Sequence, residues 1–302
     1  MTMPNFLVIG AAKAGTSALY RYMQQHPQVY LTPKKEPHYF SYDSRTKMTN
    51  GPGDTIPHAV TDRIAYQALF DDVSNELAYG EASPTYLYVQ GASERILSEV
   101  PDVRLIAILR QPVDRAYSAY MHVVRDGRET ILDFQEAIQQ EGNRVEARWG
   151  PIWHYIRGGY YHSQLLSYYH KFPADHIHVV LYDDFKSSPQ SVLRSLFAFL
   201  GVDEGFVPDM SVRPNVSGVP RSGFVQSLIF RLFMKPNPLR ALFRWLLPEN
   251  TRFRFTTAAR NRNLRKVPLS ADLRGELTRK YYLDDIAGLE TLLDRDLSDW
   301  LT

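Results

Sequence analysis

Phe6-Leu7-Val8-Ile9-Gly10-Ala11-Ala12-Lys13-Ala14-Gly15-Thr16-Ser17 is the stretch that decides the fold. Four apolar residues in a row read as a strand buried on both faces. A loop of small residues, Gly10 to Gly15, then opens a helix carrying Leu19, Tyr20 and Met23 and stopping before Pro27. Thr16 is the expected cap of that helix. A small-residue loop at a helix N-terminus offers unpaired N–H groups and the positive end of the helix dipole to an anion. Lys13 adds a full positive charge where such an anion would lie.

Outward from this loop the same alternation repeats. Strands are expected at Val29–Leu31, Leu77–Gly80, Val103–Leu109 and Ile177–Tyr182, and helices at Ala92–Glu99, Val113–Arg125 and Pro189–Leu200. Alternating strands and helices imply an α/β fold with a central, mostly parallel β-sheet flanked by helices. Ligands in such sheets bind at the C-terminal ends of the strands. Arg110 stands at the end of the clearest buried strand, and Ser118 follows two turns into the next helix. An arginine fork and a hydroxyl can grip one phosphate. The plainer readings are a strand-end salt bridge for Arg110, a solvated helix residue for Arg115 and a helix-surface residue for Ser118.

The phosphate loop is not of the kinase type. The Walker pattern places lysine after its second glycine, next to Ser or Thr. Here Lys13 precedes Gly15 by two, and the best later strand ends in Leu109-Arg110 rather than in an acid for magnesium. The pattern points to an anionic ligand held by cations, with no metal.

The composition sets the outer limits. The 302 residues are 44% hydrophobic and 23% charged, which suits a globular protein and excludes a fibrous or disordered chain. There is no cysteine, so disulfides, thiolate metal sites and a cysteine nucleophile are excluded. The start, Met1-Thr2-Met3-Pro4-Asn5, lacks the basic region of a signal peptide, and no stretch reaches the ~20 apolar residues of a membrane span. A cytoplasmic location is expected. The formal charge of +2 argues against a nucleic-acid polymer as partner, yet it hides a division. Arg221 to Lys266 holds eleven Lys or Arg and one acid, Glu249, so the remainder of the chain is net acidic.

Four motifs together resemble the PAPS-dependent sulfotransferases, in particular the heparan sulfate N- and 3-O-sulfotransferase domains and soluble bacterial sulfotransferases. Lys13-Ala14-Gly15-Thr16-Ser17 resembles their 5′-phosphosulfate loop, and Leu109-Arg110-Gln111-Pro112-Val113-Asp114-Arg115-Ala116-Tyr117-Ser118 their 3′-phosphate motif. Lys35-Glu36-Pro37-His38-Tyr39-Phe40 and Glu81-Ala82-Ser83-Pro84-Thr85-Tyr86 resemble two further family motifs. Gly159-Tyr160-Tyr161 to Leu200 and Leu289 to Leu301 are similar to family segments as well. The resemblance covers roughly residues 5–201 and 263–301, and it implies one P-loop-like domain over residues 1–302, with a basic, helical, acceptor-side region at 206–267 and C-terminal helices.

The resemblance implies 3′-phosphoadenosine-5′-phosphosulfate (PAPS) as donor, leaving 3′-phosphoadenosine-5′-phosphate (PAP). Lys13 would contact the bridging and leaving-group oxygens. The N–H groups of Ala14, Gly15, Thr16, Ser17 and Ala18 would surround the 5′-phosphosulfate, and Arg110 and Ser118 would hold the 3′-phosphate. Arg221 would reach it from a late basic loop. The base is Glu36 by family resemblance, while other sulfotransferases use a histidine and His38 lies two residues on. In an extended chain the two would share a face. Their plainer readings are an ion pair of Glu36 with Lys34 or Lys35, and a half-buried packing role for His38. Ser83 and His122 complete the expected acceptor side, although a post-strand turn and a helix-surface histidine explain them equally. Ala82 stands where the glycosaminoglycan enzymes often carry lysine, which weakens a heparan-type substrate.

The acceptor expected is the hydroxyl, less often the amine, of a carbohydrate, glycolipid or other small molecule. Residues 224–247 mix Leu, Phe, Ile and Trp with Arg and Lys, broken by Pro236 and Pro238. Such a segment can dock peripherally on the inner membrane surface or lie over an anionic acceptor, and it can equally be a packed helix pair with a solvated basic face. The competing functions are a nucleotide-dependent kinase or phosphotransferase and a noncatalytic module for nucleotides or anionic glycans.

Overall fold

The computed structural model describes residues 2–42, 51–52, 59–211 and 267–302, together with the backbone of 219–220 and 264–265. The basic segment 224–247, Arg221 and most of the loop 41–57 lie outside the described residues.

Five strands form one parallel sheet in the order β2-β3-β1-β4-β5, with β1 (Phe6–Gly10) at its centre. Every residue of β1 is buried, as the unbroken apolar run requires. The neighbours are β3 (Ala78–Ala82), in register from Phe6↔Gly80 to Val8↔Ala82, and β4 (Arg104–Leu109). The outer strands are β2 (Val29–Leu31) and β5 (Ile177–Leu181). Gly80 is dictated by this packing, since a Cβ there would lie 2.2 Å from the Phe6 carbonyl oxygen.

The chain leaves β1 toward β2 on one side and reaches β4 on the other, so the connection direction reverses beside β1. Crevices at such reversals are where doubly wound sheets bind ligands. Helix α1 (Thr16–Met23) follows β1. Later helices are α2 (Arg63–Gln67), α3 (Ala92–Glu99), α4 (Pro112–Arg125), α5 (Phe134–Gln139), α6 (Glu141–Glu146), α7 (Tyr161–Tyr169), α8 (Tyr182–Ser187), α9 (Pro189–Leu200) and α10 (Ala271–Leu293).

Three details differ from the sequence reading. Gly15, not Thr16, is the N-cap of α1; its φ of 105° is open to glycine, and no side chain caps the helix. Tyr182 opens α8 rather than ending β5, and Asp183 and Asp184 in its first turn favour the helix dipole. Arg115 is buried rather than solvated, and its guanidinium donates to the carbonyls of His154, at 3.3 Å, and Tyr155.

The C-terminal segment packs back onto the start of α4. Gln111 caps α4 through Oε1, which accepts from the Asp114 N–H at 2.7 Å. Its Nε2 donates to Thr278 Oγ1 at 2.7 Å and to the Trp300 carbonyl at 3.1 Å. Arg274 of α10 pairs with Asp114 at 3.5 Å. The residue beside Arg110 is therefore anchored from the far end of the chain. A separate two-stranded antiparallel pair, β6 (Val219–Pro220) with β7 (Leu264–Arg265), brackets the basic region.

Candidate active site

The loop after β1 holds Lys13 in left-handed backbone, φ 71°. The Ala14 N–H donates to the Ala11 carbonyl at 3.1 Å and the Ala18 N–H to the Gly15 carbonyl at 2.9 Å. Those two groups are spent inside the loop. The N–H groups of Gly15, Thr16 and Ser17 come before the first donor of the helical ladder, where helices bind anions. Gly15 is required twice over. Its φ is strained for any side chain, and a Cβ would lie 3.0 Å from the Tyr182 ring.

Arg110 extends from the end of β4 into this loop. Its guanidinium lies 5.0 Å from the centre of the Tyr182 ring, and Nη1 reaches the Lys13 carbonyl at 3.5 Å. The sequence-expected 5′ and 3′ anion sites thus share one wall. Ser118 lies on the buried side of α4 at 6% exposed, not on the helix surface.

Burial lowers the Lys13 ammonium from 10.5 to about 8, and Arg125 and Lys35 add to the shift against Asp126 and Glu36. An ammonium short of water favours an anionic partner, and with the helix N-terminus beside it that fits a phosphosulfate group.

Glu36 and His38 do converge, by a different route from the one expected. Both have left-handed backbone, φ 61° and 57°, so the segment is not extended. The turn brings His38 Nε2 to 3.7 Å from Glu36 Oε2. Glu36 also pairs directly with Lys35, as the plainer reading held. Burial would raise the Glu36 carboxyl, but Lys35, His38 and Lys13 together hold it below the usual carboxylate range. Burial depresses the His38 imidazole despite Glu36, so the ring is neutral at physiological pH. Its Nδ1 lies 2.8 Å from Thr85 Oγ1, which is 2.6 Å from Ser41 Oγ.

Ser83 stands behind this loop. It is fully buried, its hydroxyl donating to Glu81 Oε2 at 2.8 Å and accepting from the His38 N–H at 3.0 Å. His122 lies partly exposed on α4, with Nδ1 accepting from Arg125 at 2.8 Å and Nε2 3.5 Å from Asp126. Burial and the nearby Lys13 and Arg125 push it down to about 3, so it is neutral.

Sequence reasoning missed Arg125, Asp126, Thr85, Glu81, Gln111 and Tyr182. Only Arg125 and Asp126 carried a usable signal, their spacing of three and four from His122 on one helix face. Thr85, Tyr182 and the Nε2 contacts of Gln111 act across separations that no local pattern reveals, and Glu81 acts through side-chain proton directions.

The parallel sheet thus sets an open helix N-terminus, Lys13 and Arg110 together at its strand ends, an arrangement that suits an anion. The Sulfotransferase family model matches residues 4–206. The chain belongs to the sulfotransferase family. The solved sulfotransferase of Alicyclobacillus acidocaldarius is 36% identical, covers 100% of both chains and superposes with a TM-score of 0.77. The membrane-associated sulfotransferase kil1 of Dictyostelium discoideum is 24% identical over 78% of this chain and 64% of its own length. The mouse heparan sulfate glucosamine 3-O-sulfotransferase 6 is 28% identical over 66% of this chain and 52% of its own. The matches thus span less than two thirds of these curated relatives. Among the described residues, no helix is long and apolar enough to cross a membrane.

Proposed function

We propose that the enzyme transfers a sulfuryl group from PAPS to a hydroxyl, less often an amine, of a carbohydrate, glycolipid or other small acceptor. The observation that carries this reading is Lys13 lying within the field of Glu36 while Arg110 Nη1 reaches the Lys13 carbonyl, all at the C-terminal ends of the sheet's strands. Bound there, PAPS would supply the sulfuryl group, whose bond to the 5′-phosphate oxygen breaks as the acceptor oxygen bonds to sulfur.

The residues have distinct tasks. Gly15, Thr16 and Ser17 present N–H groups, and Lys13 sets a positive charge, where the leaving oxygen becomes more negative. Arg110, with Ser118 further along α4, grips the 3′-phosphate. Tyr182 fixes the guanidinium plane by packing against it. Glu36 takes the acceptor proton. In the free enzyme its carboxyl is too acidic for an efficient base. Negative charge arriving beside Lys13 cancels part of the field that lowers Glu36, so donor binding brings the base toward its task. The neutral His38 ring, 3.7 Å away, is placed to orient or share that proton.

The similarity to a heparan sulfate 3-O-sulfotransferase supports a glycan acceptor. The similarity to a protein named as membrane-associated supports contact with a membrane surface, which in a cytoplasmic enzyme residues 224–247 would provide. Isothermal titration with PAP tests the donor site. A glycan and glycolipid panel incubated with labelled PAPS and read by mass spectrometry tests the transfer. A noncatalytic module would bind PAP and label nothing.

A further inference from the structure

Glu81, the penultimate residue of β3, is fully buried next to the Lys35–Ser41 loop and plays no part in the transfer as proposed. Its carboxylate accepts from three hydroxyls. Tyr86 donates to Oε1 at 2.6 Å and Tyr66 to the same oxygen at 3.3 Å, while Ser83 donates to Oε2 at 2.8 Å. A hydroxyl has one proton and spends it once. With its proton on Glu81, Ser83 meets the His38 N–H with a lone pair, at 3.0 Å. Tyr86 meets the Phe40 N–H in the same way, at 3.3 Å. The Glu36 N–H is bound separately, by the Ala82 carbonyl at 3.1 Å. The N–H groups of residues 36, 38 and 40 are thus all tied to the end of β3, two of them through Glu81.

We infer that Glu81 is a positioning residue. By fixing the polarity of Ser83 and Tyr86 it holds the backbone of the loop that aims Glu36 and His38. This rests on the reading of Glu36 and His38 as the reacting groups. The distinguishing feature is that only an acceptor-only group serves. An amide of the same shape would offer protons to one of the hydroxyls. That hydroxyl would then turn its own proton away from residue 81, and with it the lone pair aimed at the backbone N–H. Burial pushes the Glu81 carboxyl up to about 7 even though Tyr86, Ser83 and Tyr66 all oppose the shift, and the charge on Glu36 adds to it, so the acceptor-only form prevails above that pH and exchange is read at about pH 8. The groups facing Glu81 are therefore the three hydroxyls and, at longer range, Glu36.

The test is amide hydrogen exchange on the full-length protein, followed by NMR. Glu81→Gln should speed exchange at least tenfold at whichever of His38 and Phe40 is served by the hydroxyl facing the amide nitrogen, while Glu36 and the β1 amides keep their rates. Unchanged rates at both positions, or an equal rise across the whole sheet, would overturn the inference. Should Glu81→Gln fail to fold, two single changes decide. Ser83→Ala should speed His38 alone and Tyr86→Phe should speed Phe40 alone; no change, or the same rise at both, counts against it. Calorimetry with PAP separates the two readings. Wild-type protein that shows the exchange pattern and binds no PAP leaves Glu81 as a loop anchor and removes the sulfotransfer reading of the loop.

Discussion

His38 Nε2 lies 3.7 Å from Glu36 Oε2 although both residues adopt left-handed backbone. Left-handed backbone at two non-glycine residues costs about 1–3 kcal/mol each and persists only where the surroundings impose it. Here the Ala82 carbonyl, Ser83 and Thr85 impose it. The arrangement places a carboxylate and a neutral imidazole side by side, next to the Lys13 field.

Glu36→Gln removes the base and keeps the shape. We expect turnover to fall about 10²–10⁴-fold, the usual contribution of a positioned general base. PAP affinity should stay within a few-fold of wild type. The check is steady-state kinetics on an acceptor from the labelled panel, paired with titration calorimetry. A larger fall for His38→Ala than for Glu36→Gln would move the base to His38.

Lys13 gives donor binding a pH dependence of known sign. Its folded-state pKa, lowered to about 8, must rise when an anion binds, because the charged form is the one that binds. Donor affinity is therefore full below about pH 8 and falls as pH rises through it, nearing tenfold per unit well above. Lys13→Arg, which keeps its charge, should flatten that profile. PAP titrations between pH 6 and 10 measure it.

Gly15→Ala combines an unfavourable φ with a close approach to Tyr182. The left-handed conformation alone costs an alanine roughly 1–2 kcal/mol. We expect a lower melting temperature and at least tenfold weaker PAP binding. Tyr182→Ala added to Gly15→Ala should cost less than the sum of the two single losses, because the contact is then relieved, which a double-mutant cycle would show.

Trp300→Ala should weaken the 3′-phosphate site from a distance. Loss of a buried tryptophan side chain costs about 3–5 kcal/mol. It also loosens the segment whose carbonyl holds Gln111, next to Arg110. PAP affinity should fall more than affinity for 5′-AMP, which lacks the 3′-phosphate. Equal losses for both ligands would detach Gln111 from that site.

Much of this was readable from residue order. Unbroken apolar runs at Phe6–Ile9 and Leu105–Leu109 gave buried central strands, and a cation after the second run marked the ligand end of the sheet. Small residues after Gly10 marked the anion loop. The loop geometry was not readable, because the φ values at Glu36 and His38 are set by contacts 45 to 47 residues away. Gln111 takes its partners 167 and 189 residues on. Arg115 looked solvated by residue type, yet two carbonyls from the Trp153–Ile156 region call it inward. Glu81 stood inside a recognised motif, yet its role was not readable, since it depends on how Ser83, Tyr86 and the distant Tyr66 spend their protons.

The most direct measurement is calorimetric titration of the intact protein with PAP, beside Lys13→Ala and Arg110→Ala. We expect the wild type to bind one PAP per chain and both variants to bind at least tenfold more weakly, with Arg110→Ala leaving 5′-AMP affinity nearly unchanged. Wild-type protein that binds no PAP, or two variants that bind it as well as wild type, would contradict the assignment of this crevice as the donor site.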